Sequence, residues 1–156
     1  MGDVTPVDGV VRYDEGVHLG YRAWLRAGAA PAYPCGVGLG YTTWSYDDVS
    51  VGADPAGDRW VTVSLTNTGD RRGREVVQVY LSRPGSAVER PVRWLAGWTV
   101  VSADAGAQAT ADVRVLPRAF EHWDTDVHGW ATEPGEFTVE VARHAGTTDL
   151  TTTVEV

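Results

Sequence analysis

The residues able to do chemistry are few, and they are scattered. Asp14–Glu15 and Asp47–Asp48 are adjacent acids. A carboxylate nucleophile working with a carboxylic acid needs two carboxyl groups about 5 Å apart across the reacting bond. Neighbours on extended chain point to opposite faces, so neither doublet is expected to converge on one substrate. His122, Asp124 and His128 form an H-x-D-x3-H cluster. A structural zinc site needs four ligands, usually with thiolates, and Cys35 is the sole cysteine, so no metal is expected. Gly36, Gly38 and Gly40 have a G-x-G-x-G spacing with no lysine after it, which is not a phosphate loop. Cys35 has no neighbour that would activate it and is expected to be a buried or half-buried inert thiol. His18 and His144 are isolated and expected to face solvent. The seven tryptophans raise one further chemistry, the stacking of sugars on flat aromatic faces. Core packing is the commoner use of such residues. Trp94 and Trp130 are the candidates for exposed rings and carbohydrate contact, while Trp60, at the start of a strand, is expected to make a capping contact.

The elements that must position these residues are β. Val61, Val63 and Leu65 alternate with Thr62, Ser64 and Thr66, giving one apolar and one polar face. Asn67-Thr-Gly-Asp70 supplies a turn in which Gly69 is free to take a positive φ. Residues 74–81 are apolar on both faces, as in a central strand covered on both sides. Further strands are expected over Trp94–Val101, Ala109–Leu116, Glu136–Arg143 and Leu150–Val156, with a type II turn at Pro134-Gly135. This spacing predicts an all-β fold, an immunoglobulin/fibronectin III-like antiparallel β-sandwich, over residues 47–156. Residues 1–46 read as an irregular arm with a short strand at Gly9–Tyr13 and a two-turn helix near Gly20–Ala27. The prolines and glycines of residues 31–40 break any regular element.

Composition bounds the partners. The chain has 156 residues and a net charge of −8, all 13 basic residues are arginine, and lysine is absent. Schiff-base chemistry on lysine is therefore excluded. The acidity disfavours polyanionic partners, so neither nucleic acid nor membrane is expected. The arm holds four acids and three arginines, the rest seventeen and ten, so the charge belongs to the sandwich. No apolar run is long enough to cross a bilayer and no signal peptide is visible. A cytoplasmic site is the default expectation.

Several motifs occur in a definite order. Tyr13-Asp-Glu-Gly-Val-His-Leu-Gly-Tyr-Arg22 is followed by Pro34-Cys-Gly-Val-Gly-Leu-Gly-Tyr-Thr-Thr43. Then come Val63-Ser-Leu-Thr-Asn-Thr-Gly-Asp70, Glu75-Val-Val-Gln-Val-Tyr80, Arg90-Pro-Val92, Gly97-Trp98, Trp123-Asp124 and Glu133-Pro-Gly-Glu-Phe137. This ordered set resembles the C-terminal part of glycoside hydrolase family 3, the β-glucosidase-type family. The first two stretches are similar to the end of its α/β sandwich domain and the others to its fibronectin type III-like domain. Cys35 stands where the family usually has Phe, and Gly40 where it usually has Ser.

The resemblance implies a parent activity of hydrolysing terminal β-glycosidic bonds. It also implies that both family catalytic carboxylates lie in regions absent from this chain. Glu15 matches a structural position of the family motif, so no catalytic residue and no cofactor are expected. Trp98 and Trp123 fall at apolar family positions and are expected in the core. The chain reads as an accessory module, structural or substrate-positioning. Its expected partners are the remaining hydrolase domains, in cis or in trans, and a β-glucoside or β-glucan. The alternative is a stand-alone carbohydrate-binding module using exposed tryptophans. The apolar residues of the arm, deprived of their usual neighbour, are expected to be poorly ordered, to fold back on the sandwich, or to drive self-association.

Overall fold

The computed structural model describes residues 5–156. Among them one short helix, α1 (Tyr21–Ala27), precedes nine strands: β1 (Trp44–Ala53), β2 (Arg59–Asn67), β3 (Gly73–Ser82), β4 (Trp94–Ala103), β5 (Gln108–Val115), β6 (Glu121–Asp124), β7 (Gly129–Thr132), β8 (Glu136–Ala142) and β9 (Leu150–Glu155). A 3-10 turn, Pro117–Ala119, links β5 to β6. One sheet has the order β1-β2-β5 and the other β4-β3-β8-β9, and β6-β7 is a separate hairpin. All pairings are antiparallel. The expected sandwich is the fold that forms.

Alternation sets the core. Val61, Val63 and Leu65 of β2 and Val113 and Val115 of β5 face Val77, Val79 and Leu81 of β3 and Phe137, Val139 and Val141 of β8, all of them fully buried. Residues two apart share a face, so each strand contributes one apolar row to the dry layer between the sheets. Trp44, Trp94 and Phe120 close its ends. Phe137 is packed edge-on by Phe120 at 5.2 Å and by Trp94 at 6.3 Å.

The second face of β3 explains its doubly apolar sequence. Gln78 and Tyr80 point away from the core and are nevertheless buried, because the arm folds back over them. Tyr21 of α1 meets the Tyr80 ring edge-on at 6.3 Å, and its hydroxyl oxygen accepts from the Leu95 amide of β4 at 2.8 Å. Gln78 donates through Nε2 to the carbonyls of Gly36 (3.2 Å) and Arg143 (2.8 Å) and accepts from the Tyr80 hydroxyl at 2.7 Å. A Cβ at Gly36 would lie 2.4 Å from the Gln78 amide, so a glycine is required where the arm crosses β3. The arm thus takes the folded-back form of the three expected.

Two local expectations are corrected. Gly9–Tyr13 is not a strand. Asp8 and Gly9 both take positive φ, 52° and 76°, and Val7 and Val10 exchange backbone hydrogen bonds of 2.9–3.0 Å. Two successive left-handed residues make a tight hairpin turn rather than extended chain. Gly69 does not use the left-handed region. Its need is spatial, because a Cβ there would sit 2.1 Å from Thr42 Oγ1. Asn67 Oδ1 accepts from the Gly69 amide at 3.1 Å and holds the turn.

Candidate functional site

A concavity of about 550 Å³ lies between the arm and the β6-β7 hairpin. Its outer wall begins with Phe120, buried at the end of the 3-10 turn, which anchors the hairpin to the core. Trp123 and Trp130 are then directly opposed in the β6-β7 register. Side chains so paired stand on one face and touch, and the two rings meet edge-to-face at 5.6 Å. The Arg118 guanidinium lies 4.2 Å above the Trp130 ring and pairs through Nε with Glu121 at 3.0 Å. The hairpin tip is fixed by Asp124, whose Oδ1 accepts from the Asp126 amide at 2.8 Å, and by His128 at φ 49°.

The opposite wall comes from the arm and the β3-β4 connection. His18 is buried, and its Nε2 lies 3.0 Å from Glu89 Oε1. Arg26 Nη1 approaches the same oxygen at 3.7 Å. The floor is Trp94, with Arg90 over its ring at 5.5 Å. Burial lowers the Arg90 pKa, and the Glu133 carboxylate opposes that shift. The Ser86 hydroxyl bond, followed by the Ala87 amide and the Arg83 and Arg90 charges, holds the Glu133 carboxyl below its usual range. The network around Glu133 thus fixes the floor of the cleft.

The sequence-derived sites fare unequally. Trp94 is no platform: it is 8% exposed, and its Nε1 donates to the Ala119 carbonyl at 2.9 Å. Trp130 is 53% exposed. Trp123 is also half-exposed and Trp98 is 62% exposed, so neither joins the core. Trp98 opposes Gln78 on the outer side of β4, because the register shift opposite Val79 and Tyr80 inserts one residue between it and Trp94 and reverses the alternation that would otherwise set both on one face. Trp60 donates through Nε1 to Asp54 at 3.2 Å, across the β1-β2 turn. His18 is buried rather than solvent-facing because the arm folds back, and half-buried His144 accepts through Nδ1 from the Gly146 amide at 3.1 Å. Cys35 is exposed, not buried, and its backbone carbonyl accepts from the Ala145 amide at 2.8 Å.

The acidic doublets serve local structure. Asp14–Glu15 lie in a turn. Asp47 sits at a bulge between Tyr46 and Asp48 and accepts from the hydroxyls of Thr66 (2.6 Å) and Ser45 (2.7 Å), which lower its pKa. Among the described residues no three metal-ligating side chains converge, His122, Asp124 and His128 included. Gly36, Gly38 and Gly40 instead line a smaller cleft beside Glu75 and Arg143. Burial raises the Glu75 pKa, and the Tyr46 hydroxyl donates to its carboxylate at 2.9 Å. Sequence reasoning missed Arg22, Glu89 and Arg118 as cleft residues. Each lies far from Trp130 in sequence or carries no motif, and only the folded-back arm brings Arg22 near the hairpin.

Residues 75–145, from β3 to just past β8, match the fibronectin type III-like domain family. The DesR β-glucosidase of Streptomyces venezuelae superposes with a TM-score of 0.91 at 34% identity, over 96% of this chain and 19% of that one. The Bifidobacterium adolescentis GH3 β-glucosidase gives 0.87 at 37% identity, over 95% and 22%. Over nearly its whole length the chain is similar to the C-terminal, fibronectin type III-like portion of glycoside hydrolase family 3 β-glucosidases. The exo-α-(1→6)-L-arabinopyranosidase of Bifidobacterium longum is 39% identical over 96% of the chain. The chain spans only about a fifth of the length of these relatives, 19% in the last case. Strands β1, β2 and β9, outside residues 75–145, complete the same sandwich.

Proposed function

We propose that this chain is the accessory part of an enzyme that hydrolyses terminal β-glycosidic bonds, with β-glucosides the leading substrates. Residues 47–156 are its accessory domain and residues 1–46 the end of the preceding α/β domain. The two β-glucosidase relatives support the activity, and the arabinopyranosidase relative leaves the sugar open. The chain seats against the remaining hydrolase domains through the arm.

The observation that carries this reading is the two-sidedness of the arm. Its inner side is tied down by Tyr21, His18 and the Cys35 carbonyl. Its outer side bares Tyr13, Tyr33, Leu39 and Tyr41, with Leu39 98% exposed. Large apolar side chains concentrated on one exposed segment mark an interaction surface. Self-association through this surface is the competing use.

A chimera tests it, with these residues replacing the matched segment of the S. venezuelae β-glucosidase. Leu39→Ser with Tyr41→Ser should lower the chimera's melting temperature and aryl β-glucoside turnover while leaving the isolated chain's melting temperature unchanged. Equal effects on both would refute docking through the arm. The isolated chain should not turn over an aryl β-glucoside, and turnover abolished by Glu15→Gln would overturn the accessory reading.

A further inference from the structure

We propose that the cleft between the β6-β7 hairpin and the arm binds a neutral oligosaccharide. Its β-linked character rests on the glycosidase reading above. Three observations point to this ligand class. First, the wall is aromatic and still open. Arg118 covers one face of Trp130, yet the residue remains 53% exposed, which leaves ring surface for a pyranose to contact. Trp123, at right angles and 5.6 Å away, fixes the orientation of that ring.

Second, the polar lining is mixed and balanced. Arg22 and Arg118 offer donors, Glu89 and Glu121 acceptors, and Arg90 is offset by Glu133 at 3.4 Å. A phosphate or acidic ligand would require an excess of positive charge. A polyhydroxyl ligand needs planar donors and acceptors of both kinds, since each hydroxyl both donates and accepts. Third, the cleft has unfinished hydrogen bonding. Among the described residues His122 Nδ1 is buried without a partner, and His122 lines the cleft. A buried polar atom left without a partner is unfavourable, and a sugar hydroxyl would satisfy it. The volume of about 550 Å³ falls within the range of about 300–1,000 Å³ usual for small-ligand sites.

The competing occupant is a side chain cluster of a neighbouring hydrolase domain. The test uses the 156-residue chain titrated with cellotetraose and with laminaritetraose, followed by tryptophan fluorescence and calorimetry. Saturable binding to at least one is expected. Trp130→Ala should weaken it by about tenfold or more, Trp130→Phe should retain most of it because a flat ring survives, and His122→Ala should weaken it several-fold. Trp98→Ala, on the outer face of β4, should leave binding unchanged. Melting temperatures of all variants establish that they fold. No saturable binding of either tetrasaccharide up to about 10 mM, binding indifferent to Trp130→Ala, or binding lost with Trp98→Ala would each overturn the proposal. In the chimera, tryptophans shielded from acrylamide together with absent saccharide binding would identify a domain interface and overturn it too. Failure here leaves the arm-docking result of the chimera untouched, so the two readings fail separately.

Discussion

Phe137→Ala probes the packing that supports both the sandwich and the floor of the cleft. Phe137 is fully buried and packs edge-on against Phe120 and Trp94. The guanidinium carbons of Arg83 and Arg90 lie 4.6 Å and 5.3 Å from its ring centroid. Truncating a buried Phe costs about 3–5 kcal/mol through lost transfer energy and the cavity left behind. Each aromatic pair adds about 0.5–1.5 kcal/mol beyond its area, and the cavity cannot collapse readily. Arg83 is held by the Glu133 and Pro134 carbonyls at 2.6 Å, and Trp94 by the Ala119 carbonyl. The upper half of the range, about 4–5 kcal/mol, is therefore expected. At about 2–4 °C per kcal/mol for a chain of this size, the melting temperature should fall by about 8–20 °C. Urea titration followed by circular dichroism measures the change, with the m-value unchanged if only stability moves. Phe137→Leu, expected at about 1–2 kcal/mol because much of the volume remains, keeps the measurement possible if the alanine variant does not fold. A loss below about 1 kcal/mol for Phe137→Ala would refute the assignment of this face of β8 to the core.

Three further outcomes are expected. Gly69→Ala should destabilise by about 1–3 kcal/mol, because its Cβ would meet Thr42 Oγ1 at 2.1 Å, and Thr42→Ala should recover part of the loss in a double-mutant cycle read by urea denaturation. Tyr21→Ala, which removes the contact with Tyr80 and the hydroxyl contact at Leu95, should speed tryptic cleavage after Arg22 and Arg26 while the sandwich itself melts at an unchanged temperature. The acid limb of stability should depend on two carboxylates with opposite signs. The folded-state pKa of Glu133 is lowered, so its contribution is present above the unfolded value of about 4.3 and is lost as pH falls through the folded value. That of Glu75 is raised, so its contribution is present below about 4.3 and is lost as pH rises through the folded value. Glu133→Gln should flatten the acid limb and Glu75→Gln should steepen it in urea titrations taken across pH 3–6; identical profiles for the two variants would contradict the assigned environments.

The strand pattern was legible because alternation is local. Val61, Val63 and Leu65 declare a half-buried strand, and the doubly apolar residues 74–81 declare a covered one, without knowledge of their partners. The ordered motifs likewise pointed to a family 3 accessory portion, which the comparisons bear out. What covers Gln78 and Tyr80 was not legible. Residues 18–36 carry no periodic signal that says where they dock, so the burial of His18 and the exposure of the Cys35 side chain depend on the return of the arm. The tryptophans divide by strand register. Trp94 and Trp98 are neighbours on one strand, yet one closes the inter-sheet layer and the other faces outward, while Trp123 and Trp130 become a pair only through the β6-β7 register. Local sequence decided which segments extend and which faces are apolar. Only the tertiary structure decided which aromatic rings remain open and which charged groups stand beside them, because those contacts join separate elements, such as Arg118 with Trp130, and residues far apart in sequence, such as Arg26 with Glu89.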